Sequence, residues 1–461
     1  MGQPPGGRAH GPDRTRAGRR RTWAAAGAAL LSSAAIAGCS GGAVGPPVLN
    51  FYTPADAATQ YGEAAADCTT QANGRYTIVP QTLPKGADDQ RLQLARRLVA
   101  GDTAVDIMGI DVTWTAEFAT AGWITRLPED VAAQVTQGTL AGPLETATFK
   151  GALWAAPLNT NTQILWYRKD LAPTPPKTWD EMISMSEALQ QKGLPSYIEV
   201  QGAQYEGLSV WFNTMINSAG GQIVDENGTV LIGQEPSRGA AEKAATIMQR
   251  VAASPASDPS LSVAKENDGR LAMEAGTAAF QINYPFVYAS INTPPPDGGG
   301  GGTFIDDQGR PAGTDTGKKV IDEFAWAPYP SVTPGTPAKP TIGGLNLAVS
   351  TTSLHPDLAY EAVQCLRSRE NQLRNATDAG VPPTLGALYG DPSFQQEYPA
   401  WQAIKESLDD ASVRPKTPAY QSISIVLSDL LNPPAQINPQ AVVGEMADQV
   451  VRAENSEGLV P

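Results

Sequence analysis

The chain has 461 residues, with 33 Lys and Arg against 47 Asp and Glu, two His, three Cys and a formal net charge of −14. An acidic chain without a basic cluster is a poor partner for nucleic acid or anionic lipid. The two His and three Cys form no cluster that could hold zinc, and no metal or other cofactor is expected.

In chain order, Arg14, Arg16, Arg19, Arg20 and Arg21 precede an apolar run from Trp23 to Ile36 and then Gly38 and Cys39. A basic segment, a short apolar segment and a small residue before the cut read as a secretory signal over residues 1–38. Ile36, Ala37, Gly38 and Cys39 resemble a bacterial lipobox, which makes Cys39 the expected lipidated first residue of the mature protein. Residues 39–47, with Gly41, Gly42, Gly45, Pro46 and Pro47, then have the composition of a tether. The expected location is outside the cell membrane, held to it by this lipid alone. Without residues 1–38 the chain keeps 27 basic and 46 acidic residues, a net charge of −19. The remaining length exceeds what one core usually serves, so two lobes are expected.

Val48 to Tyr52 reads as a strand. Ala57, Tyr61, Ala64, Ala65 and Cys68 follow at the spacing of one buried helix face, stopped by Asn73 and Gly74. Tyr76 to Val79 is a second strand, Leu92, Ala95, Leu98 and Val99 mark a second helix closed by Gly101, and Val105 to Ile110 is a third strand. This βαβαβ order calls for a parallel sheet with right-handed crossovers. Ligands of such sheets bind beyond the carboxyl ends of the strands, here near Thr53, Leu83 and Asp111.

Gln163 to Tyr167 is a further strand, and a helix starts at Thr178 or Trp179. Helices are expected over 205–218 and 236–251, strands over 278–283 and 345–350, and helices after Pro356. Between Asn292 and Gly317 prolines, aspartates and five consecutive glycines give a surface-loop composition. Beyond Cys39, Cys68 and Cys365 are either one disulfide of an oxidising compartment or two buried thiols.

The segment Gly151-Ala-Leu-Trp-Ala-Ala-Pro-Leu-Asn-Thr-Asn-Thr-Gln-Ile-Leu-Trp-Tyr-Arg-Lys-Asp170, followed by Pro175-Pro-Lys-Thr-Trp-Asp-Glu-Met182, resembles the extracellular sugar-binding proteins of ABC importers. Ala219-Gly-Gly-Gln-Ile-Val-Asp225, Gly276-Thr-Ala-Ala-Phe-Gln-Ile-Asn-Tyr-Pro285, Trp326-Ala-Pro-Tyr-Pro330, Thr341-Ile-Gly-Gly-Leu-Asn346 and Val413-Arg-Pro-Lys-Thr-Pro-Ala-Tyr420 follow in the family's order. Within it, Phe51-Tyr-Thr-Pro54, Gln90-Arg-Leu-Gln-Leu-Ala-Arg-Arg97, Asp111 before Trp114-Thr-Ala-Glu-Phe118, and Gly207 before Trp211-Phe-Asn213 look like the mycobacterial trehalose-binding lipoproteins of the LpqY type.

The resemblance implies an α/β fold of the two-lobed periplasmic-binding-protein kind, each lobe a mostly parallel sheet flanked by helices. Residues 48–158 and 284–342 are assigned to lobe 1, and 159–283 and 343–461 to lobe 2. Strand crossovers are placed near Pro157 to Asn161, Gln281 to Tyr284 and Ile342 to Leu345. It further implies capture of trehalose or a related sugar by lobe closure, delivery to ABC permease and ATPase subunits, and a monomeric receptor.

A sugar presents hydroxyls and C–H patches, so carboxylates, amides, guanidinium forks and aromatic faces are the groups to seek. Asp111 at a strand end is a hydroxyl acceptor or a helix cap. Asn161 lies in the first crossover as ligand contact or turn residue. Arg414 reaches into the cleft by resemblance, whereas composition alone makes it a surface residue. Tyr284 stands where the relatives carry tryptophan and offers a stacking face. Gly343 and Gly344 admit either close approach of a ligand or a tight hinge turn. Glu206 and Thr53 are weaker candidates. His355, the one histidine after the signal, sits beside Pro356 as a cap or surface group, so Ser-His-Asp catalysis lacks its base. A glycosidase needs only two carboxylates and is the alternative from another class; the resemblance points to binding without turnover.

Overall fold

A computed structural model describes residues 45–55, 58–84, 86–288, 304–305, 311–312 and 320–457. Pro46–Pro461 form one compact unit. The secretory signal, Cys39 and most of the 292–317 loop lie outside the described residues. Within that loop Phe304–Ile305 pairs antiparallel with Pro311–Ala312.

The main strands are β1 Val48–Pro54, β2 Thr77–Leu83, β3 Ile107–Asp111, β4 Ala156–Asn161, β5 Ile164–Arg168, β6 Tyr197–Glu199, β7 Ala278–Asn283, β8 Phe324–Ala327 and β9 Gly343–Val349. The βαβαβ reading holds: β1 pairs in parallel with both β2 and β3, and helices Ala58–Gln71 and Ala87–Val99 make the connections. The first helix buries Tyr61, Ala64, Ala65 and Cys68 as its periodicity predicts; Ala57 lies outside the described residues. The second buries Gln90, Leu94 and Leu98, an i, i+4, i+8 stripe, and leaves Leu92 and Val99 exposed. Each residue turns a helix by about 100°, so Val99 leaves the stripe that Leu98 occupies. The expected face was therefore rotated from the one the sheet selects.

The first sheet has the order β2-β1-β3-β9-β4, the second β8-β5-β7-β6. Both carry helices on their faces, as expected for the two-lobed α/β fold. One strand runs against its neighbours in each: β9 is antiparallel to β3 and β4, and β5 is antiparallel to β8 and β7. The cause is the chain path. A strand arriving from the other lobe enters at the edge where the resident strands end, so it must run the opposite way.

This path corrects the lobe boundaries. Residues 284–342 are expected in lobe 1, yet β8 sits in the second sheet against β5; residues 343–461 are expected in lobe 2, yet β9 sits in the first sheet between β3 and β4. The crossover expected at Gln281–Tyr284 is likewise absent among the described strands, because β7 and β8 share one sheet. The chain passes between sheets at Asn161–Ile164 and between Ala327 and Gly343, then again beyond Arg369. There Pro383 bridges to Asn159 before Phe394, Tyr398, Ile404 and Leu408 pack against Ile164 and Trp166 of the second sheet.

Cys68 and Cys365 are joined by a disulfide, with Cα atoms 5.8 Å apart. It ties helix Ala58–Gln71 to helix Pro356–Leu366, both packed in the first lobe's core. All the strands of the second sheet lie between these cysteines in sequence. The bridge therefore staples a lobe whose two halves are 297 residues apart.

Candidate functional site

The register places the candidate residues along one edge. Asp111, the last residue of β3, faces Leu345, and Asn161, the last of β4, faces Gly343. Thr53 lies near the end of β1, on the same edge. Asp111 Oδ1 accepts the Thr113 backbone N–H at 2.9 Å and the Thr113 hydroxyl at 2.8 Å. This braces the turn into the short helix Thr115–Thr120. The same oxygen stands 3.5 Å from Arg414 Nη2, so Asp111 both caps a turn and looks into the cleft.

The second lobe supplies the opposing charge. Helix Glu206–Ser218 begins with Glu206, whose Oε1 accepts Arg414 Nη1 at 2.6 Å and the Tyr420 hydroxyl, while Oε2 accepts the Ser424 hydroxyl. Arg414 also donates to the Ile342 carbonyl at 3.4 Å, and its side chain is 6% exposed. Its guanidinium is held above the ordinary arginine range. Burial opposes the charge, but Asp111, Tyr420 and Glu206 outweigh that cost. A buried guanidinium is thus shared by carboxylates from the two lobes. The reading of Arg414 as a solvated surface group is set aside.

Tyr284 follows β7 directly, and its N–H donates to Asn283 Oδ1 at 2.8 Å. Burial raises its hydroxyl pKa, and Glu266, Glu206 and Asp111 push the same way against Arg414. Two neighbours escaped sequence reasoning. Tyr205 lies beside Glu266 and Tyr284, its ring under Lys265 Nζ at 4.9 Å, and burial followed by Glu266 raises its pKa. Glu266 opens helix Glu266–Glu274, a largely polar stretch that buries only Gly269 and Met273. Tyr420 belongs to a recognised motif, but nothing in that motif distinguishes the tyrosine from its neighbours.

The glycines answer to the crossing itself. A Cβ on Gly343 would lie 2.3 Å from Asn161 Oδ1, and Gly344, at φ +132°, would place one 2.4 Å from the Asn159 carbonyl. At Gly344 the positive φ and the backbone contact require glycine, which favours the hinge reading there, whereas the contact at Gly343 is with the end of a side chain that can swing aside. Next to them Thr341 is gripped by the second lobe: its N–H donates to Thr214 Oγ1 at 3.0 Å, and its hydroxyl takes Asn213 Nδ2 at 2.9 Å. Asn161 Oδ1 and Thr53 Oγ1 are buried without a hydrogen-bond partner among the described residues. No group of three or more His, Cys, Asp or Glu suited to a metal occurs among the described residues.

The arrangement can accept hydroxyl protons at Asp111, Glu206 and Glu266, donate from Arg414, and offer tyrosine faces, all at a junction between two sheets. The sequence profile described as bacterial extracellular solute-binding protein matches residues 55–373. The chain belongs to that family. It is a family of binding proteins rather than enzymes, so the glycosidase alternative falls away. The chain is 27% identical over 365 residues, 76% of its length and 79% of the other's, to a probable ABC transporter-binding protein of Deinococcus radiodurans.

Among solved structures, maltose-bound MalE3 of T. maritima has a TM-score of 0.73 at 23% identity, covering 88% of this chain and 99% of that one. The GacH receptor of Streptomyces glaucescens gives 0.71 at 18%, covering 90% and 100%. The cyclic alpha-maltosyl-1,6-maltose binding protein of Arthrobacter globiformis gives 0.69 at 19%, covering 90% and 100%. These likenesses establish the two-lobed fold. No helix among the described residues is long and apolar enough to cross a membrane.

Proposed function

We propose that this protein is the sugar receptor of an ABC importer, anchored outside the membrane through a lipid on Cys39, with trehalose as its ligand. The observation that carries the reading is the Asp111–Arg414–Glu206 constellation, in which one buried guanidinium meets a carboxylate from each lobe. A ligand that closes two lobes must contact both, because it shifts the equilibrium only by its differential affinity for the two shapes. Hydroxyls bridging these charged groups supply that difference, and Tyr284 and Tyr205 flank them with aromatic faces. The Deinococcus relative's description supports the transporter, and the trehalose-receptor motifs around Phe51, Asp111 and Trp211 support the sugar.

A second reading is a different disaccharide or oligosaccharide. Tyr284 favours it, since the trehalose receptors carry tryptophan there and tyrosine adds a hydroxyl. Neighbours of the same fold are described with maltose, acarbose and a cyclic maltosyl-maltose. Calorimetry and thermal shift on the soluble form from Ser40 onward, against trehalose, maltose, sucrose and glucose, separate the two. Binding and stabilisation by trehalose alone without turnover support the first reading; a response to maltose alone replaces it with the second.

A further inference from the structure

Glu199 ends β6 in the second lobe, pairs with Gln281 of β7, and is 1% exposed. Its Oε1 finds no hydrogen-bond partner among the described residues, and the carboxyl group of Asp258 lies within hydrogen-bonding reach of its side chain. Helix Glu266–Glu274 closes over it so tightly that a Cβ on Gly269 would lie 3.1 Å from that of Glu199. Asp258 itself is only partly buried, but a carboxyl as enclosed as that of Glu199 beside a second carboxyl is stable only when one of the pair carries a proton.

Asp258 starts a strap. Its Oδ1 accepts the Ser260 N–H at 2.6 Å and hydroxyl at 2.7 Å, and Leu261 is buried beyond it. The Ala264 carbonyl then takes the N–H groups of Gly202 and Ala203, each at 3.1 Å. Asn432 Nδ2 reaches both Gly202 and Ser262 carbonyls at 2.9 Å. The strap ends at Lys265, over the Tyr205 ring, and at Glu266, beside Tyr205 and Tyr284.

We propose that Glu199 is a positioning residue of the binding cleft: its protonated carboxyl donates to Asp258, and this contact holds the strap 258–266 so that Glu266 faces the ligand. The proposal rests on the reading of the cleft as a sugar site. The charged groups acting on Glu199 are Asp258 and Asp268, both acidic, with neutral Gln281 alongside. Burial first, then Asp258, raises its pKa to about 9. A carboxyl raised in the folded state binds its extra proton only when folded. Its contribution to holding the strap is therefore full below the ordinary carboxylate range and is lost as pH rises through about 9.

The test compares the wild-type protein with Glu199→Gln, which keeps a neutral donor toward Asp258 and cannot ionise. Amide hydrogen exchange of 258–268 is followed without ligand, corrected for intrinsic rates, from about pH 7 to about pH 9.5, beside calorimetric trehalose titration. Protection and affinity are expected to fall together by roughly tenfold in the wild type and to stay level in the variant. Lysine and tyrosine titration is common to both proteins, so the difference isolates Glu199. A parallel decline in both, or none in the wild type, overturns the proposal. So does a variant that keeps the wild-type Tm but loses binding at about pH 7. If no sugar binds either protein at about pH 7, the sugar reading fails alone, and the exchange arm still decides the clasp.

Discussion

The two lobes meet at one cleft but furnish it differently. The first lobe offers strand ends: Thr53, Asp111 and Asn161 are fixed by the register of β1, β3 and β4, and Gly343 and Gly344 by the close packing of β9 on β4. The second lobe offers side chains from segments far apart in sequence, namely Glu206, Glu266, Tyr284, Arg414 and Tyr420. The first lobe thus presents an edge fixed by strand register, and the second a charged face gathered from segments far apart in sequence. Rigidity in the first comes from the hydrogen-bonded ladder and the disulfide.

The sharpest way to break that contrast is to remove the staple of the rigid side. Replacing Cys68 and Cys365 together by serine is expected to cost about 3–5 kcal/mol of stability, because the bridge closes a loop of 297 residues. Denaturant unfolding of the pair variant should show it, and a loss under 1 kcal/mol would mean the first lobe does not depend on the bridge. On the charged side, Arg414→Ala leaves Asp111 and Glu206 facing without their shared cation and should weaken sugar binding by about 2–5 kcal/mol. Calorimetry decides, and affinity equal to the parent's would remove Arg414 from the site.

Gly344→Ala forces a Cβ against the Asn159 carbonyl at positive φ, so a stability loss of about 1–3 kcal/mol is expected from thermal unfolding of the ligand-free protein. An unchanged Tm would show that the crossing relaxes. The smallest effect belongs to Tyr284→Phe, which keeps the stacking face and deletes one hydroxyl, for an affinity change of about 0.5–1.5 kcal/mol. If instead Tyr284→Phe costs more than Arg414→Ala, the tyrosine hydroxyl rather than the ionic groups governs the second lobe.

Particular residues mark how far the sequence could be read. Tyr61, Ala64, Ala65 and Cys68 announced their helix face, since a single amphipathic period decides it locally. Leu92 and Val99 misled, because two apolar stripes competed on one helix and only contact with Leu94, Leu98 and the sheet chose between them. Asp111 and Arg414 were legible through motifs, but their meeting through one guanidinium was not, since 303 residues separate them. Glu266, Tyr205 and the Glu199–Asp258 contact carried no local signal.

Local pattern along the chain was enough for the βαβαβ start, the helix faces with one clear period and the family motifs, all of which depend on residues within a turn or two of each other. Tertiary structure alone decided which sheet received β8 and β9, because sheet membership depends on where the chain crosses between lobes. It also decided the composition of the charged cleft. Electrostatic partnership there depends on distance through space, which separation along the chain does not encode.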